Sequence, residues 1–264
     1  MNREQLKNYL KSEENQVFQG WDFSYLNGRW DDEHIPWDYK KILLSYLKTE
    51  HKLLDMGTGG GEFLLALNHP FYNTAITESY PPNVAICQEK LQPLGITVRQ
   101  VFNDSILPFK DSSFDIIINR HESFDIGEVN RILKTDGYFI TQQVGSKNNA
   151  DLSEKVIDNY KSLYPDNDLK HNVEAFESNG FEIIQSEESF TPIRFYDTGA
   201  LVYFAKIIEW EFPNFSVDTC FENLCKIDKE INEVGYIEGT EHRFLIVAKK
   251  LQACNKTKNI QLNY

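Results

Sequence analysis

The sequence predicts an α/β fold built on a doubly wound, seven-stranded, mostly parallel sheet. Two observations carry this prediction. From Lys52 onward, short apolar runs bounded by Gly, Pro, Asn or Asp alternate with amphipathic segments, which is the pattern of βαβ units. The first apolar run leads into a loop with three alternate glycines, a turn typical of the junction between a buried strand and a helix.

Five strands are predicted in succession, separated by helix-like segments such as EFLLALNHP, NVAICQEKLQPLG and IGEVNRILKTDG. They are KLLDMG, TAITES, ITVRQVF, FDIIINR and GYFITQQVG. A helical stretch from Asp151 to Gly180 follows. Beyond it, FEIIQSEES and HRFLIVAKK are predicted to be two further strands that close the sheet in antiparallel orientation.

We expect one principal domain with additions at both ends. Residues 1–50 are rich in aromatics and predict a helical cap, and residues 51–189 form the core. Residues 190–237 are an aromatic-rich insertion that we place over the carboxyl edge of the sheet. Residues 238–250 supply the last core strand, and residues 251–264 form a loose tail.

The composition indicates a globular protein and disfavours nucleic acid as a partner. Hydrophobic residues make up 41% of the chain, and 40 acidic against 27 basic residues give a net charge of -13. Such a chain repels a phosphate backbone. The four cysteines have neither CxxC nor zinc spacing, so no metal is expected. The N-terminus lacks the apolar core of a secretory signal, and no apolar stretch approaches about 20 residues, so we expect a cytoplasmic protein without a membrane segment.

The glycine loop argues against one common class of cofactor. In LLDMGTGGGEF the strand ends at Asp55, and a helix begins near Glu62. A dinucleotide fingerprint needs a glycine where Glu62 stands, and an acid at this helix N-terminus repels a pyrophosphate. Nicotinamide dinucleotides are therefore disfavoured. A tight turn with a capping acid is the alternative to a ligand site.

The same pattern, Asp-x-Gly-x-Gly-x-Gly, resembles motif I of the class I S-adenosylmethionine-dependent methyltransferases. The resemblance implies a Rossmann-like methyltransferase fold with S-adenosyl-L-methionine as cofactor, bound here by Asp55, Gly57, Thr58, Gly59 and Gly61. Its cationic sulfonium and ammonium groups suit the acids that flank the loop. The resemblance covers about residues 52–145 in unbroken order.

Later strand ends supply the remaining cofactor contacts that the resemblance implies. Glu78, followed by Ser79, ends the second strand and is expected to accept hydrogen bonds from both ribose hydroxyls. Asp104, followed by Ser105, comes before the apolar ILPF and is assigned to the adenine amino group. Asn119 ends the fourth strand. The alternatives are an exposed strand-end charge for Glu78 and an Asx turn or helix cap for Asp104.

Five further residues are candidates for the part of the site that binds the methyl acceptor or covers the cofactor. His121 also follows the fourth strand, and it is predicted either to contact the cofactor or to act as a general base. Trp21 and Tyr25 are candidates for roofing the cofactor site, with ordinary packing as the alternative. Arg194 and Tyr196 are candidates for binding an acceptor carboxylate. A salt bridge from Arg194 to Asp197 is the competing interpretation.

The sequence thus predicts methyl transfer to a small-molecule acceptor by a monomer or homodimer. The Asn/Asp-Pro-Pro-Tyr element and the Pro-Cys nucleophile of DNA methyltransferases are missing, which agrees with the acidic charge. One alternative is a non-catalytic protein that binds S-adenosylmethionine or S-adenosylhomocysteine. A nicotinamide-dependent oxidoreductase is the less favoured alternative.

Overall fold

The computed structural model describes residues 1–18 and 22–252. Its helices and strands, in chain order, are α1 Arg3–Glu14, β1 Trp30–Asp32, α2 Tyr39–Tyr46, β2 Leu53–Met56, α3 Glu62–Leu65, β3 Thr74–Glu78, α4 Pro81–Lys90, β4 Thr97–Gln100, β5 Phe114–Arg120, α5 Ile126–Ile132, β6 Leu133–Val144, α6 Ala150–Val156, α7 Leu169–Ser178, β7 Phe181–Phe195, α8 Thr198–Ile207, α9 Val217–Val234 and β8 Ile237–Lys250.

These elements form two compact units. The sheet unit comprises Asp38–Gln143, Leu169–Glu187 and the chain from Leu245. The helical unit comprises Met1–Trp37, Val144–Asp168 and Glu188–Phe244. Strands β7 and β8 run through both units. The predicted cap is divided between the units, because α1 and β1 belong to the helical unit and α2 to the sheet unit.

The strands are hydrogen-bonded in the order β1-β7-β8-β6-β5-β2-β3-β4. In the sheet unit, β2 pairs in parallel with β3 on one side and with β5 on the other, and β4 and β6 continue the parallel pairing outward. β2 and β3 are buried along their whole length, as expected for parallel strands covered on both faces. The predicted doubly wound, mostly parallel α/β sheet is confirmed.

In the part of the chain that the structure describes, the sheet has eight strands rather than the predicted seven. The additional strand, β1, lies in the segment predicted as a helical cap and pairs antiparallel with the end of β7, where Trp30 faces Phe195. The Trp30 ring packs 6.0 Å from that of Phe195 and 5.8 Å from that of Phe204. A strand of three residues is too short to give an alternating pattern, so the sequence could not reveal it.

The order in which successive parallel strands are added to the sheet reverses at β2. From β2 the chain adds β3 and β4 outward, and then returns to place β5 on the opposite side of β2. In doubly wound folds a ligand crevice opens at the carboxyl ends of the strands at such a switch point. A ligand crevice is therefore expected beside the loops that follow β2, β3 and β5.

Four phenylalanines form the aromatic core beside β6 in the sheet unit. Phe139 lies 5.0 Å from Phe124 and 5.6 Å from Phe176 between ring centroids, and Phe176 lies 5.4 Å from Phe181. Phe139 and Phe176 are completely buried. These rings join α7 and the start of β7 to the parallel strands. The predicted helical stretch from Asp151 to Gly180 is in fact two helices, α6 and α7.

The helical unit has a separate core, in which α1 packs against α8 and α9. Arg29 joins two acids within it. Its guanidinium donates to Asp197 at 2.6 and 2.8 Å, and to Glu13 at 3.2 Å. Asp197 also caps α8 by accepting from the N–H of Ala200 at 2.8 Å. In residues 1–18 and 22–252, no helix combines the length and apolarity needed to cross a membrane.

Candidate functional site

The loop between β2 and α3 turns sharply through three glycines. Gly57, Gly59 and Gly61 have φ values of 69°, 62° and 84°, a left-handed region that L side chains rarely adopt. The N–H groups of Gly57 and Thr58 donate to the carbonyl of Thr77 at 3.0 and 3.2 Å. These bonds attach the loop to β3. The predicted helix start near Glu62 is correct.

Glu78 ends β3 beside this loop, and its carboxylate is held by three backbone N–H groups. Oε2 accepts from Gly59 at 2.8 Å, while Oε1 accepts from Ser79 at 2.9 Å and from Tyr80 at 3.0 Å. The residue is 5% exposed. A carboxylate oxygen has two lone pairs, so this fixed group keeps acceptor capacity for a further donor.

Asp55 lies below the loop, on β2. Its Oδ2 accepts a hydrogen bond of 2.6 Å from the Thr58 hydroxyl. Burial raises the pKa of Asp55 to about 7, and Glu78 contributes in the same direction, while Thr58 and Arg120 oppose the shift. Asp55 thus changes its charge near neutral pH.

Glu122, which follows β5, packs directly on Gly57. A Cβ atom on Gly57 would lie 2.4 Å from Cγ and 2.9 Å from Oε2 of Glu122, so only glycine leaves room for this side chain. Burial raises the pKa of Glu122 to about 7, with further contributions from the charges of Glu78 and Asp104. The sequence did not identify this contact, because it depends on the pairing of β2 with β5.

Asp104 and its neighbours occupy the loop that follows β4. The Ser123 hydroxyl donates to Oδ2 of Asp104 at 2.6 Å, which joins this loop to the loop after β5. Asn103 accepts from both the N–H and the hydroxyl of Ser105, at 3.0 and 2.6 Å. The Asx turn therefore belongs to Asn103, and Asp104 is left facing the β5 loop.

Asn119 is completely buried and takes part in a polar network at the end of β5. Its Oδ1 accepts from Gln143 at 2.5 Å and from Thr141 at 3.2 Å, and its Nδ2 donates to the carbonyl of Ser123 at 3.4 Å. The Tyr39 hydroxyl lies 3.2 Å from its carbonyl oxygen. The side chain of Asn119 thus holds the β5 loop in place, and its predicted contact with the cofactor stays a prediction.

His121 is the first residue after β5 and has a left-handed backbone, with φ of 60°. It is exposed. Its N–H donates to the carbonyl of Gln142 at 2.9 Å, and its ring Nε2 lies 2.9 Å from the carboxamide nitrogen of Gln142. Since a carboxamide N–H only donates, Nε2 accepts in this arrangement. The predicted roles as base or cofactor contact stay predictions.

The other acceptor-side candidates that the structure describes lie in the helical unit. The Tyr25 hydroxyl donates to Glu13 at 3.0 Å, and its ring packs 4.6 Å from that of Tyr203. Tyr196 is 40% exposed. The predicted roles of these two residues and of Arg194 in binding the acceptor stay predictions. Trp21 lies outside the described residues.

The alternative salt bridge from Arg194 to Asp197 is wrong. Arg194 pairs with Glu238, with Nε–Oε2 at 2.6 Å, while Asp197 pairs with Arg29. Asp197 begins the next helix as its N-cap, which directs its carboxylate to the first turn of α8 and away from Arg194.

The site in the sheet unit suits a cationic ligand better than a phosphate. Four carboxyl groups, those of Asp55, Glu78, Asp104 and Glu122, lie around the glycine loop and the neighbouring strand ends. A Cβ on Gly59 would meet nothing within 4 Å, so a ligand can approach the backbone closely there. A sulfonium nucleoside with an ammonium group and a ribose diol fits this set of acceptors. A pyrophosphate does not.

The match to a known family concerns the same part of the chain. Residues 54–141 match the family model described as "Methyltransferase domain". A demethylmenaquinone methyltransferase of Thermus thermophilus is 27% identical over 116 residues, which are 40% of this chain and 53% of that protein. An uncharacterized methyltransferase of Bacillus subtilis, YcgJ, is 34% identical over 103 residues, 35% of this chain and 40% of that protein. The chain thus spans about half or less of these curated relatives.

Solved structures share the fold over a larger part of the chain. The crystal structure of YcgJ from Bacillus subtilis has a TM-score of 0.55 at 20% identity, and the match covers 81% of this chain and 99% of that one. A putative methyltransferase from Bacillus halodurans gives a TM-score of 0.54 at 15% identity, with the same coverage. At such identities the likeness is one of fold.

Proposed function

We propose that this chain, whose residues 54–141 match a methyltransferase domain, is a class I S-adenosylmethionine-dependent methyltransferase that transfers a methyl group from that cofactor to a small-molecule acceptor. One observation carries the proposal. The N–H of Gly59 donates to Glu78 at 2.8 Å, so the glycine loop after β2 and the acid that ends β3 form one connected site. A loop that served only as a turn would not need a buried acid beside it.

The chain's own residues bind and orient the reactants. Glu78 accepts hydrogen bonds from the ribose diol, and Asp104 accepts one from the adenine amino group. The backbone of the glycine loop packs against the methionyl portion, close to Asp55 and Glu122. When bound, S-adenosylmethionine supplies an electrophilic methyl group and a sulfur that leaves as a neutral thioether. In-line transfer is accelerated mainly by alignment and desolvation, so a base is not obligatory.

The acceptor we propose is a metabolite rather than a nucleic acid. The net charge of -13 opposes association with a phosphate backbone. One relative carries the name demethylmenaquinone methyltransferase, and it matches 40% of this chain. A cytoplasmic location and a monomeric or homodimeric state are part of the same proposal.

Binding of S-adenosylhomocysteine, measured by isothermal titration calorimetry, tests the cofactor site. We expect Glu78→Ala to weaken binding by about 1 to 3 kcal/mol, because the ribose hydroxyls lose their acceptor. Glu89→Ala removes an exposed acid from α4 in the same unit and is the matched control, with affinity unchanged. Equal affinities for Glu78→Ala and wild type would refute the position of the ribose. Binding of NADH instead would refute the class of cofactor.

Turnover distinguishes an enzyme from a binding protein. The purified chain is incubated with methyl-labelled cofactor and a metabolite extract, and label is sought in any product. His121→Ala should keep the affinity for S-adenosylhomocysteine, since its ring nitrogen is hydrogen-bonded to Gln142 on the neighbouring strand β6. If turnover falls while affinity is retained, His121 acts on the acceptor. Unchanged turnover would remove it from the mechanism.

A further inference from the structure

The charges around the glycine loop leave one requirement of the cofactor unmet. S-adenosylmethionine carries a carboxylate as well as its sulfonium and ammonium cations. The acids Asp55, Glu78 and Glu122 suit the two cations, but they repel a carboxylate that enters the same crevice. A nearby cation is needed to hold it.

Arg120 is such a cation. It is the last residue of β5, next to Asn119, and it is exposed. Its guanidinium carbon lies 4.4 Å from the centroid of the Phe63 ring, a cation–π contact that restrains the side chain. Phe63 is the second residue of α3, the helix that begins directly after the glycine loop. The guanidinium is also close enough to lower the pKa of Asp55.

Arg120 has no carboxylate partner among the residues that the structure describes. Five other arginines in that part of the chain, Arg3, Arg29, Arg131, Arg194 and Arg243, each form a salt bridge. Lys90, which also lies near α3, is paired with Glu62 at 3.7 Å. In a chain with 40 acids, an arginine left unpaired and stacked beside the loop is available to a ligand.

We propose that Arg120, resting on Phe63, binds the carboxylate of the cofactor's methionyl group. This inference rests on the proposed function and adds a specificity-determining residue to the same site. The guanidinium donates hydrogen bonds to the carboxylate, and the neighbouring acids accept the ammonium. Recognition of the amino-acid end is thereby separated from recognition of the adenosine by Glu78 and Asp104.

Two ligands that differ only in the carboxylate test the proposal. S-adenosylhomocysteine has it, and decarboxylated S-adenosylhomocysteine keeps the adenosine, the thioether and the amine without it. Their dissociation constants are measured by calorimetry for wild type, Arg120→Gln and Arg120→Lys. Arg99→Gln is the matched control, because Arg99 also lacks a salt bridge among the described residues but lies on the edge strand β4.

We expect Arg120→Gln to weaken binding of S-adenosylhomocysteine about tenfold or more, as hydrogen bonds to charged groups are lost. Binding of the decarboxylated ligand should change less than about twofold. Arg120→Lys should lie between, since it keeps the charge without the planar fork. Arg99→Gln should match wild type for both ligands.

The outcomes separate this inference from the proposed function. If wild type binds S-adenosylhomocysteine and Arg120→Gln binds it equally well, Arg120 is not the anchor, while the cofactor site stands. Equal losses for both ligands would also overturn the inference, because the effect would not depend on the carboxylate. If wild type binds neither ligand, the proposed function is wrong and the role of Arg120 with it.

Discussion

Replacing Asp55 with Asn should stabilise the protein at pH 8, although Asp55 belongs to the candidate cofactor site. Burial raises the pKa of this carboxyl group from its ordinary 3.8 to about 7. An acid whose pKa is higher in the folded state contributes its full stability below the unfolded-state pKa and loses it as the pH rises through the folded-state pKa. The free energy of unfolding of the wild type should therefore fall between about pH 4 and pH 7 because of this group.

These two pKa values set the size of the effect. Between pH 5 and pH 8 the loss is about 3 kcal/mol. Asparagine does not ionise and avoids this loss. Its buried amide costs about 1 to 3 kcal/mol when it lacks an acceptor, but that cost is the same at both pH values. The stability of Asp55→Asn minus that of wild type should thus rise by about 2 to 3 kcal/mol from pH 5 to pH 8.

Urea unfolding followed by far-UV circular dichroism at several pH values between these limits measures the difference. Glu89→Gln, which changes an exposed acid on α4, should run parallel to wild type throughout. Calorimetric titration with S-adenosylhomocysteine at the same pH values should show that Asp55→Asn binds the ligand less tightly than wild type, although it is more stable at pH 8. If the stabilities of wild type and Asp55→Asn stay parallel with pH, the burial argument for Asp55 is wrong.

Three further changes test other parts of the structure. Burial, with two nearby acids, raises the pKa of Glu122 to about 7, so the advantage of wild type over Glu122→Gln in binding S-adenosylmethionine should grow about threefold to tenfold from pH 6 to pH 8. A constant advantage in calorimetry would contradict this. Gly57→Ala should abolish binding of S-adenosylhomocysteine because its Cβ would collide with Glu122. Gly95 also has a positive φ, 96°, but a Cβ there would meet open space, so Gly95→Ala should cost only about 1 to 2 kcal/mol of stability and leave binding intact. Arg29→Leu should lower the free energy of unfolding by about 3 kcal/mol, since the buried Glu13 loses its cation, and unchanged urea unfolding would refute the importance of that pair.

Local sequence patterns were enough to predict the parallel core and the position of the glycine loop. A buried parallel strand is a continuous apolar run in the sequence. A sharp turn with positive φ requires glycine. Both features can therefore be recognised from a short stretch of sequence. The positions of Asp55 on β2, Glu78 at the end of β3 and Asp104 in the loop after β4 followed from the same local patterns. The start of α3 at Glu62 did as well.

Which side chains contact each other depends on how distant segments of the chain pack together. Glu122 packs on Gly57 because β5 pairs with β2, and the two residues are far apart in the chain. Asp197 pairs with Arg29 rather than with Arg194 because it caps α8. The short strand β1 is formed by its pairing with β7. Such contacts form between segments that are distant in the chain and close in space, so a local sequence pattern cannot predict them. Local chemistry therefore fixed where the site lies, and packing fixed which charges face it.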